Sequence, residues 1–115
     1  MIYQGSCHCG KIRYEVEGDI GEVTECNCSI CRRRGHLLWF VPRGRLHLHT
    51  PESNLATYTF NTHRIKHHFC PTCGCATFGE GADKSGAMMA AVNVRCLEGV
   101  DIASLSIHHF DGGSL

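Results

Sequence analysis

Seven cysteines in three short runs constrain this chain more than any other feature: Cys7-His8-Cys9, Cys26-Asn27-Cys28-Ser29-Ile30-Cys31 and Cys70-Pro71-Thr72-Cys73. Within each run the thiols stand two or three residues apart, a spacing that turns neighbouring sulfurs toward a common point. The chain has nine Cys in 115 residues, an odd number. Its N-terminus, Met-Ile-Tyr-Gln-Gly-Ser-Cys, has no basic run followed by an apolar stretch that would mark it for export. The expected compartment is therefore the reducing cytoplasm, where clustered thiols serve as metal ligands or redox groups rather than disulfides.

Cys70-Pro71-Thr72-Cys73-Gly74 is the strongest local motif. Two Cys flanking a tight turn aim both sulfurs at one ion while turn amides donate to them, and Gly74 permits the backbone angle that closes the turn. A redox Cys-x-x-Cys normally opens a helix, but the sequence after Gly74 is Cys-Ala-Thr-Phe, which is no helix start. Such a knuckle needs two further ligands. Cys7 and Cys9, two apart in extended chain, face one side. With Cys70 and Cys73 they complete a four-sulfur structural zinc site, expected to contribute on the order of 10 kcal/mol to folding.

Cys26, Cys28 and Cys31 make a second group. Cys28 and Cys31 share a face of a helical turn, Cys26 precedes them in extended chain, and the three can hold a second zinc with an exchangeable fourth ligand. The alternatives are closure by Cys75, Cys96 or one of the nine His, no metal at all, or a redox sensor that releases its zinc reversibly on oxidation. Arg32-Arg33-Arg34 follows at once. It is either a solvated turn or a charge device, with Arg32 and Arg33 the candidates to offset thiolate charge or grip a substrate carboxylate. Cys75 and Cys96 have no partner by spacing and read as small hydrophobes. Met88-Met89 reads as packing, and His63–His68 as a solvated strand face with Ile65 and Phe69 on the other side. Trp39-Phe40 reads as core, or as a pocket wall near the second cluster.

The apolar fraction is 43% including the cysteines, which leaves a thin core that favours metal staples. One domain, residues 1–115, is expected. Lys11–Glu17 alternates with Ile12, Tyr14 and Val16 on one face and is the clearest strand. Others are expected at His36–Val41, Arg45–His49, Leu55–Phe60, Arg64–Phe69, Ala87–Val94 and Ser104–Phe110, with helical turns at Ser29–Arg34, stopped by Gly35, and at Asp101–Leu105. The fold class is mainly β with antiparallel sheets. Charge is balanced, 11 Lys+Arg against 11 Asp+Glu. Seven thiolates and two Zn²⁺ would make it acidic, and no basic stripe interleaved with aromatics is present, which argues against nucleic acid. No stretch is long and apolar enough for a membrane span.

The motifs "GSCHCG", "CNCSICRRRG", "FCPTCGCATF" and "VNVRCLEGVD...HHFDG", in that order, resemble the glutathione-dependent formaldehyde-activating enzyme family, which also includes centromere protein V. The resemblance implies a β-tent-like fold with two zinc sites: structural at Cys7, Cys9, Cys70 and Cys73, and catalytic through the zinc of Cys26, Cys28 and Cys31. It implies a carbon–sulfur lyase that forms S-hydroxymethylglutathione from glutathione and formaldehyde, with a small thiol as partner. Asn27 stands where many members have His. The competing expectation is a zinc-stapled binding module without catalysis; the sequence sets no oligomeric state.

Overall fold

The structure, a computed structural model, describes residues 1–115. Strands β1 (Ile2–Ser6), β2 (Arg13–Glu17) and β5 (Leu46–Leu48) form an antiparallel sheet in the order β1-β2-β5. The second sheet takes β3 (Glu22–Cys26), β4 (Leu38–Pro42), β6 (Ala56–Tyr58), β7 (Lys66–Phe69), β8 (Phe78–Ala82), β9 (Met88–Asn93) and β10 (Ser106–Phe110). Its order is β10-β3-β4-β9-β8-β7-β6. A single turn of α-helix, α1 (Cys31–Arg34), joins β3 to β4, and no helix is long and apolar enough to cross a membrane.

The period-two pattern of β2 does what alternation dictates: Tyr14 and Val16 are fully buried, as is Ile12 just before them, while Arg13 and Glu17 are exposed. The fifteen-residue apolar core draws on both sheets, with Leu46 from the first and Val23, Val41 and Val92 from the second. Aromatic pairs join them: Tyr14 lies 5.6 Å from Phe78, and Tyr3 meets Trp39 edge-on at 5.7 Å. Both pairs fall in the range where ring quadrupoles add to area burial.

The mainly β architecture stands as expected, with one difference in strand direction. β10 runs parallel to β3, Phe110 opposite Cys26, so the sheets are not wholly antiparallel. Three strands were not expected. β1 lacks alternation, β3 buries only Val23, and β8 (Phe-Gly-Glu-Gly-Ala) carries two glycines that weaken a strand. Gly79 has a packing reason: a Cβ there would sit 3.3 Å from the Lys66 carbonyl. Expected strands around residues 55–69 shorten because Asn61 and His63 adopt left-handed backbone (φ 56° and 57°) and turn the chain. Two packing expectations also change. Met88 is 48% exposed, and Ile65 is 53% exposed because it precedes β7 rather than sitting within it. The expected turn at 101–105 is a 3-10 turn at Ile102–Ser104, with the Ala103 amide donating to the Asp101 side chain.

Candidate metal centres and an adjoining cavity

Cys7 and Cys9 lie in the β1–β2 connection and Cys70 and Cys73 in the β7–β8 connection, so each sheet supplies one pair. Their four sulfurs lie within 4.8 Å of one another. The Cys7–Cys9 separation is 3.7 Å and Cys9–Cys70 is 3.6 Å, far beyond the ~2.05 Å of a disulfide. A tetrahedral ion with Zn–S bonds of about 2.3 Å needs sulfurs about 3.8 Å apart. The Ile12 amide donates to Cys7 Sγ at 3.3 Å, and the Thr72 and Cys73 amides to Cys70 Sγ at 3.4 Å. Amides aimed at sulfur favour thiolates. The Cys75 and Cys9 amides likewise hold the Cys73 thiol down to about 5. Gly74 closes this turn at φ 81°, its amide donating to the Cys70 carbonyl at 2.8 Å.

The second cluster sits where β3 ends and α1 begins. Cys26 is the last residue of β3, Cys28 lies in the turn, and Cys31 opens α1; their sulfurs also lie within 4.8 Å of one another. Gly35 ends the helix in left-handed conformation, with φ 67° and its amide on the Cys31 carbonyl. Neither Cys75 nor Cys96 nor any His joins this sulfur group. Cys96 instead points its thiol at the Ala76 carbonyl. His36, which the sequence did not single out, is buried with Nε2 3.2 Å from Cys31 Sγ. Burial, then the nearby Arg34, lowers its pKa to about 4, so the ring is neutral near pH 7. When Cys31 is a thiolate, the proton must sit on Nε2 and donate to sulfur. The thiols resist joint ionisation. Burial opposes a charge on Cys28, yet local amides and its neighbours' thiols bring it below the ordinary value, whereas burial and the Cys28 charge push Cys31 far up. A cation among the three sulfurs relieves that conflict, and a sulfur-only donor set suits zinc.

The C-terminal segment closes one side of this cluster. A Cβ on Gly112 would lie 2.6 Å from Cys26 Sγ and 3.2 Å from Cys28 Cβ, so only glycine fits against the sulfurs. Asn27 latches the segment: its amide donates to Asp111 at 2.9 Å, and its oxygen accepts from the Gly113 amide at 2.8 Å. Asn27 thus acts on the tail and not as a ligand.

On the other side, Cys26, Cys28 and Cys31 line a cavity of about 480 Å³. None of the four cysteines of the first cluster borders it. Its walls are mostly apolar and include Leu38, Phe40, Phe60, Ile65, Met89 and Phe110. Trp39 is core and Phe40 is cavity wall, since adjacent strand residues face opposite ways. Arg32 and Arg33, the expected substrate contacts, lie outside it; both are exposed, and Arg33 donates to the Ser29 carbonyl at 2.8 Å. Arg34 lines it instead, because three residues on from Cys31 returns to the same helix face. One wall hides a polar network. His68 pairs with Glu80 at 2.8 Å, Glu80 with Arg43 at 2.7 Å, and the Thr57 hydroxyl contacts His68 Nδ1 at 2.8 Å. His68 is therefore buried, not on a solvated face.

A crystal structure of a Rhodobacter sphaeroides protein superposes on this chain with a TM-score of 0.78, at 34% identity over 91% of this chain and 99% of that one. Residues 2–110 match the family described as glutathione-dependent formaldehyde-activating enzyme. That span takes in all seven clustered cysteines and the β10 strand that pairs with β3 at Cys26. The chain belongs to the glutathione-dependent formaldehyde-activating enzyme family, whose description ties it to glutathione and formaldehyde chemistry.

Proposed function

We propose that the protein is a zinc-dependent carbon–sulfur lyase acting on the adduct of a small thiol with an aldehyde, glutathione and formaldehyde being the pair its family is described by. Cys7, Cys9, Cys70 and Cys73 hold a structural zinc, and Cys26, Cys28 and Cys31 hold the second. At the second site, bound zinc supplies the positive charge that lets a nearby thiol shed its proton at neutral pH. The chain's own residues do the rest. The Cys28 amide donates to Cys26 Sγ at 3.4 Å, His36 steadies Cys31, and the Asn27-latched tail shuts out water from behind. The cavity then gives a substrate a route to the sulfurs. In the synthetic direction the thiol S–H adds across the aldehyde C=O: a C–S bond forms, the carbonyl π bond breaks, and the oxygen takes a proton. The lyase direction is the reverse.

The observation that carries this reading is the unequal setting of the two sulfur groups. Four converge away from the cavity, and three converge at its wall. A purely structural pair of sites needs no such asymmetry. Cobalt substitution tests it. Millimolar glutathione or a short mercaptoalkanoate is expected to shift the thiolate-to-metal absorption of the three-cysteine site, and a spectrum that moves with neither overturns the proposal.

A further inference from the structure

The charges around the cavity do not match a peptide thiol. Among Lys, Arg, Asp and Glu, only Arg34, Glu80 and Asp83 line it. Both Glu80 oxygens are taken, one by His68 and one by Arg43. Asp83 sits exposed at the rim, where its Oδ1 accepts from the Ser85 amide, the Ser85 hydroxyl and the Ala87 amide. Its Oδ2 stays outside these bonds, and Arg34 is the one cation of the three. Its guanidinium has no ion-pair or hydrogen-bond partner and lies over the Phe69 ring at 5.8 Å. It makes no hydrogen bond to the three sulfurs, so it is free to meet an anion brought by a ligand.

Most of the rest of the wall is apolar, broken by Thr24, Asn93 and four histidines, and it is partly open to water. Phe40, Ile65 and Phe110 are 52%, 53% and 43% exposed, and all three line the cavity. Contiguous apolar surface beside reactive groups invites an apolar ligand to cover it. Glutathione brings two carboxylates, an ammonium and two amides. One guanidinium pairs with one carboxylate, and the second carboxylate of glutathione would lose water with no Lys or Arg to meet it.

We propose that the cavity selects a ligand with an alkyl or aryl body and a single carboxylate, the carboxylate held by Arg34 and the body lying on Phe40, Ile65, Met89 and Phe110. This rests on the thiol reading above for the ligand's sulfur, which would reach Cys26, Cys28 and Cys31. In that case the chain keeps its family's sulfur chemistry but applies it to apolar mercapto acids.

Calorimetric titration of the zinc-loaded full chain tests this with ω-mercaptoalkanoic acids of increasing length, the primary amide of one of them, its S-methyl thioether, and glutathione. Affinity is expected to rise about fourfold per added methylene until the cavity is filled, and the amide to bind at least about tenfold more weakly than the acid. Arg34→Gln should erase the acid–amide difference. Phe40→Gln, at a half-exposed position, should reduce the gain per methylene and leave the acid preference. Glutathione binding more tightly than every mercaptoalkanoate, or an acid and amide of equal affinity in the unmodified chain, overturns the inference. A thioether that binds as well as its thiol while keeping the length and acid preferences supports it and instead removes the thiol chemistry proposed above.

Discussion

Replacing one cysteine in each cluster should separate a staple from a working site. The four-sulfur group ties the β1–β2 connection to the β7–β8 connection, and Cys9 and Cys70 are 61 residues apart. In the chain-entropy treatment of cross-links, closing a loop of that length restricts the unfolded chain by about 4 kcal/mol at 25 °C, against about 2 kcal/mol for the local closure from Cys26 to Cys31. Metal–sulfur bonding raises the long-range site to on the order of 10 kcal/mol. A small domain has a total stability of only about 5–15 kcal/mol, so losing that site consumes most of it. Cys73→Ser is therefore expected to abolish cooperative unfolding in urea followed by far-UV circular dichroism. Cys31→Ser should keep a cooperative transition at a lower midpoint and, by native mass spectrometry, carry one ion fewer. The reasoning fails if Cys73→Ser unfolds within about 1 kcal/mol of the parent chain, or if Cys31→Ser loses its transition as completely.

Gly112→Ala puts a methyl group 2.6 Å from Cys26 Sγ, about 1 Å inside normal contact; a metal count should show the three-cysteine site weakened and the four-cysteine site intact, at an overpacking cost of about 1–3 kcal/mol. Thr77 is fully buried, and its hydroxyl has no hydrogen-bond partner, so Thr77→Val should raise stability by about 1 kcal/mol in chemical denaturation; a loss of stability would show that the hydroxyl is used. Glu80 gives a pH dependence with a definite sign. Burial alone would raise its carboxyl, but hydrogen bonds from His68 and Arg43 hold it below its ordinary 4.5. A depressed folded value means its contribution is present in full above pH 4.5 and lost as pH falls through the folded value. Glu80→Gln should cost about 2 kcal/mol near neutrality and flatten the acid limb of stability against pH; an unchanged limb contradicts the assignment.

Much of the sulfur geometry was legible in the sequence because the grouping of these thiols is local. Cys-x-Cys and Cys-x-x-Cys spacings fix which sulfurs can meet whatever the fold does around them. Gly35 and Gly74 were readable as turn closers for the same reason, and both take positive φ in the structure. Some signals were present and needed only stricter use of periodicity. Adjacent residues of a strand face opposite ways, so Trp39 and Phe40 could not both be core, nor Met88 and Met89. By the same geometry, Arg34, three residues after Cys31, was better placed than Arg32 or Arg33 to face the thiols.

What no local window holds is the cavity. Its walls come from β3, β4, β7, β8, β9 and β10, from α1, and from the turn before β7, and one side depends on a parallel pairing that sets Phe110 against Cys26 from the far end of the chain. β8 is hidden by its two glycines, yet through Phe78 and Glu80 it carries an aromatic wall and the partner of His68. This splits the inference by length scale. Ligand type follows from residues two and three apart, and so is common to every chain with these motifs. Substrate type follows from contacts tens of residues apart, which can diverge while each cysteine stays in place. Two members of one family can therefore share their sulfur chemistry and differ in what they bring to it, and Arg34 with its apolar surroundings is where this chain would differ.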